Sequence, residues 1–236
     1  VKKPDKPDFS KYDLLLKTFA KDGRVDYKNL KASPLLQAAM DEMASNSPEN
    51  FKKTDDIICY WLNAHNLIAI KVVCDEYPVI APLKLKREFI VRLFVVGGKA
   101  QSAETIWTDF IHPKLVEKRK DKAVQADTIF LLCRANLGYP EITDHAVTAE
   151  TLRNDVASNV EKFVHNPANL VYEPDEHIFA ISRFFQIYRD VFGQGFEDPW
   201  AFAIYYYDKS DKVPYEPRLV KTFIPNFNWS INDISH

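Results

Sequence analysis

The sequence lacks the short motifs that mark several common enzyme classes. It contains no GxSxG elbow, no Walker loop and no GxGxxG, and the pair Gly97-Gly98 is more typical of a strand end. Lysine and arginine are scattered among aspartate and glutamate, and the formal net charge is −2. Without a basic stripe the chain has no electrostatic footprint for DNA or RNA, and we expect no nucleic-acid partner.

Cysteine is scarce, with three residues at positions 59, 74 and 133. They lie among apolar neighbours and show neither CxxC nor metal-type spacing, which predicts free buried thiols. A Cys59–Cys74 disulfide is excluded if one helix carries both, because a rise of about 1.5 Å per residue separates them by over ~20 Å. His65 has no metal-type partner at i+3 or i+4. We therefore expect no metal and no cofactor.

The chain has no uninterrupted apolar run long enough to span a bilayer. Residues 57–74 come nearest, but their polar residues, including Lys71, indicate a buried core helix. The chain begins at Val1 with a polar, proline-rich stretch, as a removed export signal or an expression truncation would leave it. We expect residues 1–9 to form a flexible lead-in and residues 10–236 to form one domain.

Apolar residues are abundant, at 46% of 236 residues, which suffices for a sizeable core. Amphipathic helical periodicity dominates, and residues 57–77 are apolar all the way round. The sequence therefore predicts a helix-rich α+β single domain around a central buried helix at about 55–77. A small antiparallel sheet is expected from short strands near residues 25–27, 89–96, 169–181 and 219–225.

The central helix carries three polar residues in its middle. Asn63 and Asn66 share one stripe, whereas His65 points about a third of a turn away. An unpaired amide in a core costs roughly 1–3 kcal/mol, so both asparagines need partners. These are either backbone groups, in a structural clamp, or a ligand. We favour the clamp, with partners expected from the C-terminal tail, and expect His65 to be a core or rim histidine.

Several stretches carry a family resemblance when they are taken in order: DGRVDYKNL, YWLNAHNLIAIKVVCDEYPV, FVVGG, AISRFFQIYRDVFG and FNWSIND. Over residues 12–233 the chain resembles the family called domain of unknown function 547. That family has no established activity to carry over. Its bacterial members often bear export signals or lipoprotein anchors. The resemblance thus implies a bacterial, exported protein in the periplasm or envelope, with a possible membrane tether through an N-terminal segment.

The chain also departs from the family's pattern. Its WLNAHN resembles WxNAYN, with His65 in place of tyrosine. Trp107 and Thr108 stand where the pattern SLxDIEH has glutamate and histidine, and Thr128 replaces the histidine of HFALxC. Cys133 remains. If family members are enzymes through those ionisable groups, the resemblance implies that this member is inactive or altered.

Three functional hypotheses follow. The first, which we favour, is non-enzymatic binding of a ligand or protein partner in a cleft beside Asn63, Asn66 and Trp229, since aromatic faces next to amides suit sugars or peptides. The second is a divergent cysteine hydrolase or acyl transferase with Cys133 as nucleophile and Arg134 or an amide of the central helix steadying the oxyanion. The third is a structural module of an envelope assembly.

Overall fold

The computed structural model describes residues 5–80, 82–116, 126–192, 198–207 and 219–235. Residues 1–4 of the predicted lead-in and residue 236 lie outside the described residues. The α-helices are, in chain order, α1 Ser10–Phe19, α2 Tyr27–Lys31, α3 Pro34–Ser45, α4 Thr54–Glu76, α5 Lys86–Val91, α6 Ala103–Ile106, α7 His112–Val116, α8 Leu152–Val164, α9 Arg183–Ile187, α10 Arg189–Phe192 and α11 Pro199–Tyr207. The strands are β1 Ala20–Lys21, β2 Arg24–Val25, β3 Phe94–Val96, β4 Lys99–Gln101, β5 Leu170–Glu173, β6 Ile178–Ile181 and β7 Val220–Phe223.

Helix α4 is the centre of the fold, and the predicted helix-rich α+β single domain is confirmed. Every residue from 58 to 70 is buried. Helices α2, α3, α5 and α6 pack around α4, which explains why its apolar residues are not confined to one stripe. The helix is long and apolar enough to cross a membrane, but 89% of its most apolar window is buried inside the protein. It therefore serves as a core helix.

The strands form small separate sheets. Antiparallel pairing, as predicted, joins β1 to β2, β3 to β4 and β5 to β6. Strand β7 differs from the prediction, because it pairs parallel with β6 and makes this three-stranded sheet mixed. The long connection between β6 and β7, which includes α9, α10 and α11, provides the crossover that parallel pairing requires.

Two of the predicted strands are partly wrong. Residues 86–91 form α5 rather than a strand, although three of them are Phe, Ile and Val. The guanidinium of Arg92 donates to the Glu88 carboxylate one turn earlier at 3.1 Å, and such i,i+4 pairs favour helix. Near residue 25 the strand ends at Val25, because Asp26 caps α2 by accepting a hydrogen bond from the Asn29 amide.

The C-terminal tail lies along the loop that follows Cys133. The Leu137 amide donates to the Ser230 carbonyl at 2.9 Å, and the Asn232 amide donates to the Ala135 carbonyl at 3.2 Å. A Cβ on Gly138 would lie 2.6 Å from a ring carbon of Phe227, so only glycine permits this close approach. The tail thereby places the exposed residues around Trp229 beside the loop that follows Cys133.

Candidate functional site

Each of the two asparagines of α4 is hydrogen-bonded to backbone through both its Nδ2 and its Oδ1 atom. Asn63 Nδ2 donates to the Val147 carbonyl at 2.7 Å, and the Val147 amide donates back to Asn63 Oδ1 at 3.1 Å. Asn66 Nδ2 donates to the Leu131 carbonyl at 2.8 Å, while its Oδ1 accepts from the Cys133 amide at 2.9 Å. This is the geometry of the predicted clamp.

The source of the clamp's partners was predicted wrongly. They come from residues 131–133 and from Val147, not from the C-terminal tail. The tail's own Asn232 instead accepts from the Tyr27 hydroxyl at 2.7 Å. The amide groups of Asn63 and Asn66 are both hydrogen-bonded to backbone. A nearby cavity, described below, is lined by His65 and by neither asparagine.

Cys133 is buried and lacks the surroundings of an activated thiol. Its Sγ accepts from the Ala135 amide at 3.4 Å and lies 3.8 Å from Asn232 Nδ2. Burial raises the pKa of Cys133 to about 11, although these two donors lower it in part. Described residues give Sγ no histidine as a hydrogen-bond partner. This environment disfavours a nucleophile, which needs a base and a lowered pKa.

We expect iodoacetamide to leave all three cysteines unlabelled in the native protein at neutral pH. All three are free and buried, and burial raises the pKa of Cys74 to about 12. After unfolding in urea each should react at the rate of an ordinary thiol, which provides the control. Peptide mass spectrometry measures both states. Rapid native labelling of Cys133 alone would contradict this account and restore the cysteine-hydrolase hypothesis.

A cavity of about 320 Å³ brings together three of the residues singled out from the sequence: His65, Arg134 and Trp229. Lys86 and Glu104 add charged groups, and the rest of the wall is largely apolar. The other lining residues are Ala69, Leu83, Phe89, Ile90, Ala103, Asn136, Tyr139 and Ile187. The arrangement of a mainly apolar wall with a few polar groups is typical of small-molecule sites.

Four separate parts of the chain position the polar groups of this cavity. His65 comes from the rigid middle of α4, and Trp229 comes from the tail. Glu104 lies in the first turn of α6, where Ser102 and Thr105 form a complete capping box. Arg134 directly follows Cys133, whose amide is held by Asn66. The clamp therefore also fixes the backbone that presents Arg134 to the cavity.

The guanidinium of Arg134 lies among aromatic rings and keeps unused hydrogen-bonding capacity. Its Cζ is 5.9 Å from the ring centroid of Trp107 and 6.0 Å from that of Tyr188. Glu104 Oε2 lies 3.8 Å from Arg134 Nη2, within ion-pair range but beyond hydrogen-bond distance. Arg134 Nε is buried and has no hydrogen-bond partner among the described residues. The site thus holds a cation that is not saturated by the protein.

His65 is an uncharged imidazole in this cavity. Burial is the main reason that the pKa of His65 falls to about 3, and the nearby Arg134 charge lowers it further. A hydrogen bond to Asn66 opposes these effects only in part. At neutral pH the positive charge of the cavity therefore comes from Arg134 and Lys86.

Sequence reasoning missed part of this site. Phe89 and Ile90 were predicted as part of a strand, and Leu83 and Ile187 were not singled out. Trp107, where the family pattern has glutamate, packs beside Arg134, whereas Thr108 is exposed. Thr128 is buried, and its hydroxyl has no hydrogen-bond partner in the described part of the chain. No sequence signal pairs these residues, because they come from distant elements.

The described residues contain no group of three or more histidine, cysteine, aspartate or glutamate side chains that could hold a metal ion. His145 has two carboxylate partners. Its Nδ1 lies 2.8 Å from Asp144 Oδ1 and its Nε2 lies 3.1 Å from Asp155 Oδ1. Those contacts use both ring nitrogens, so we read His145 as a hydrogen-bonded link between a loop and α8.

Comparison with known proteins gives one informative result. No curated protein and no solved structure matches the chain. Residues 48–164 match the family model described as "Protein of unknown function, DUF547". The matched segment contains all of α4, both asparagines of the clamp, His65, Cys133 and Arg134, so it covers the centre of the fold and much of the cavity. The chain is a member of the DUF547 family.

Proposed function

We propose that the protein is a non-enzymatic binding protein that takes a small, largely apolar ligand into the cavity lined by His65, Arg134 and Trp229. The observation that carries the proposal is the cavity itself. Its volume of about 320 Å³ falls within the range of roughly 300–1,000 Å³ found for ligand sites. Its wall combines apolar side chains with a few polar groups that can orient a ligand.

The exposed apolar side chains of the protein support this proposal. Leu83, Ile90 and Ile187 are 50%, 45% and 44% exposed, and Trp229 is 36% exposed. All four line the cavity. Apolar side chains gathered in one place on a surface mark interaction sites, whereas single scattered ones carry no such meaning. A bound apolar ligand would remove these four side chains from water.

The alternatives have less support. Cys133 does not line this cavity, and its raised pKa and buried position disfavour covalent chemistry. The clamp formed by Asn63 and Asn66 accounts for the amides that suggested a structural module, but it does not indicate an assembly. Export, a periplasmic or envelope location and a tether at the N-terminus stay predictions from the family resemblance.

The proposal is tested by titrating the protein with N-phenyl-1-naphthylamine, a neutral apolar dye that fluoresces when it leaves water. We expect saturable binding to the native protein. Trp229→Ala should weaken it about tenfold, the size of effect expected for a central aromatic contact. Leu14→Ala is the matched control, because Leu14 is 47% exposed on α1 and does not line the cavity. Absence of saturable binding, or equal weakening by both variants, would refute the proposal.

A further inference from the structure

We infer that the ligand of this cavity is an apolar carboxylic acid with a neighbouring N–H or O–H group, its carboxylate bound by Arg134 and its donor bound by His65. The inference rests on the proposed function and goes beyond it by naming the chemical class of the ligand. Three features of the cavity carry it: the free capacity of the guanidinium, the tautomer of the imidazole and the apolar wall.

The first feature is the guanidinium of Arg134. Guanidinium is planar and remains protonated, and its fork of N–H groups matches a carboxylate in a two-point contact. Here the Trp107 and Tyr188 rings flank it, and the carboxylate of Glu104 stays at 3.8 Å. Its buried Nε still lacks an acceptor among the described residues. The side chain as a whole keeps 29% exposure, and a ligand carboxylate at its exposed part would supply the close acceptor that Glu104 does not.

The balance of charge around the cavity favours an anion. Arg134 and Lys86 are cations, Glu104 is the one carboxylate among the lining residues, and His65 is neutral. Two cations against one carboxylate leave the lining with one net positive charge, shared between Arg134 and the exposed Lys86. One guanidinium suits a monoanion better than a phosphate dianion, which is usually held by several donors. A carboxylate fits this charge.

The second feature is the tautomer of His65, which follows from the orientation of the Asn66 amide. That orientation is fixed, because Nδ2 faces the Leu131 carbonyl and Oδ1 faces the Cys133 amide. The atom that lies 3.4 Å from His65 Nδ1 is the same Oδ1, which can only accept. Nδ1 therefore carries the proton of the neutral ring. Nε2, for which the described residues provide no partner, is left as an acceptor and requires a donor from the ligand.

The third feature is the apolar wall, which favours a ligand whose body is apolar. Leu83, Phe89 and Ile90 form one side of the cavity, and Ile187 and Trp229 add to it. An acid with an aliphatic or aromatic body would bury this surface while its polar end reaches Arg134 and His65. N-acylated apolar amino acids combine all three elements: a carboxylate, an adjacent N–H and an apolar side chain.

The experiment compares three probes by displacement of N-phenyl-1-naphthylamine: N-acetyl-phenylalanine, its carboxamide and 3-phenylpropanoate. In the native protein we expect N-acetyl-phenylalanine to bind at least about tenfold more tightly than the carboxamide, because only the acid pairs with Arg134. It should also bind more tightly than 3-phenylpropanoate, which lacks the N–H. Arg134→Gln should abolish the preference for the acid, measured as the ratio of the two affinities in the same variant so that any change in its dye affinity cancels. Lys221→Gln is the control, because Lys221 is exposed on β7 and does not line the cavity. It should change neither the preference for the acid nor the affinity for the dye.

The outcomes separate this inference from the function on which it rests. If the dye binds but the acid and the carboxamide bind equally, the ligand class is wrong and the proposed function stands. If the acid is preferred but Arg134→Gln retains the preference, the assignment of the carboxylate to Arg134 is wrong. If neither the dye nor any probe binds, both the inference and the proposed function are refuted.

Discussion

Replacing Asn66 with alanine is expected to lower the free energy of unfolding by about 3–5 kcal/mol. The substitution removes the acceptor of the Cys133 amide and the donor to the Leu131 carbonyl, and both backbone groups are deeply buried. Each group left without a partner costs about 1–3 kcal/mol, and the vacated volume adds to the loss. Urea denaturation followed by circular dichroism measures the difference.

Asn154→Ala provides the matched control. Asn154 also lies within a helix, α8, but it is exposed. Its replacement should change the free energy of unfolding by no more than about 0.5 kcal/mol. A loss below about 1 kcal/mol for Asn66→Ala would mean that water or other groups satisfy the 131–133 backbone, and the clamp would have to be abandoned as the role of this asparagine.

The second large effect is a pH dependence that His65 imposes on stability. Its pKa is about 3 in the folded protein and about 6.5 when the chain is unfolded. Between these values the unfolded state binds a proton that the folded state does not, so stability falls as the pH falls. Lowering the pH from about 7.5 to about 5 should therefore cost roughly 2 kcal/mol through His65 alone.

The measurement compares the native protein with His65→Gln over that pH range. Glutamine has no proton to gain, so the variant should lose about 2 kcal/mol less than the native protein between the two pH values. Taking the difference cancels groups common to both proteins, including His145, whose raised pKa acts in the opposite direction. Parallel pH profiles for the two proteins would show that His65 is protonated in the fold and would contradict its neutral, acceptor role.

The sequence predicted the centre of this fold well, because the signal was local. A helix that is apolar on every side must be covered on every side, and α4 is. The buried free cysteines were equally predictable from their apolar neighbours. The clamp was predicted only from the free-energy cost of burying an amide without hydrogen-bond partners. That cost does not depend on which groups the partners are.

Local sequence patterns could not identify hydrogen-bond and strand partners that lie far apart in the sequence. The first turn of α1 is capped by Glu42, whose carboxylate accepts from the Lys11 amide at 2.8 Å and from the Tyr12 amide at 3.1 Å. No sequence rule links Glu42 to a helix about thirty residues earlier. The same limit applied to the identity of the clamp's partners and to β7, whose parallel pairing depends on how the chain returns to β6.

The candidate site shows this limit most clearly. Trp229 was singled out for a cleft beside the asparagines and Arg134 for an oxyanion near Cys133, whereas His65 was expected to be a core or rim histidine. The structure divides these roles differently. Asn63 and Asn66 face backbone, and the neighbouring His65 faces the cavity. A rotation of about a third of a turn along α4 separates the structural groups from the ligand-facing one.

The most direct test of the central claim is a ¹H–¹⁵N correlation spectrum of the native protein titrated with N-phenyl-1-naphthylamine. A naphthyl ring in the cavity should shift the backbone amides of its wall most strongly, at His65, Ile90, Arg134 and Trp229. Largest shifts elsewhere would contradict the claim, for example at Asn166 and Asn169 in the adjoining cavity of about 380 Å³, which shares Asn136 and Tyr139 with the proposed site. A spectrum unchanged at saturating dye would contradict it as well.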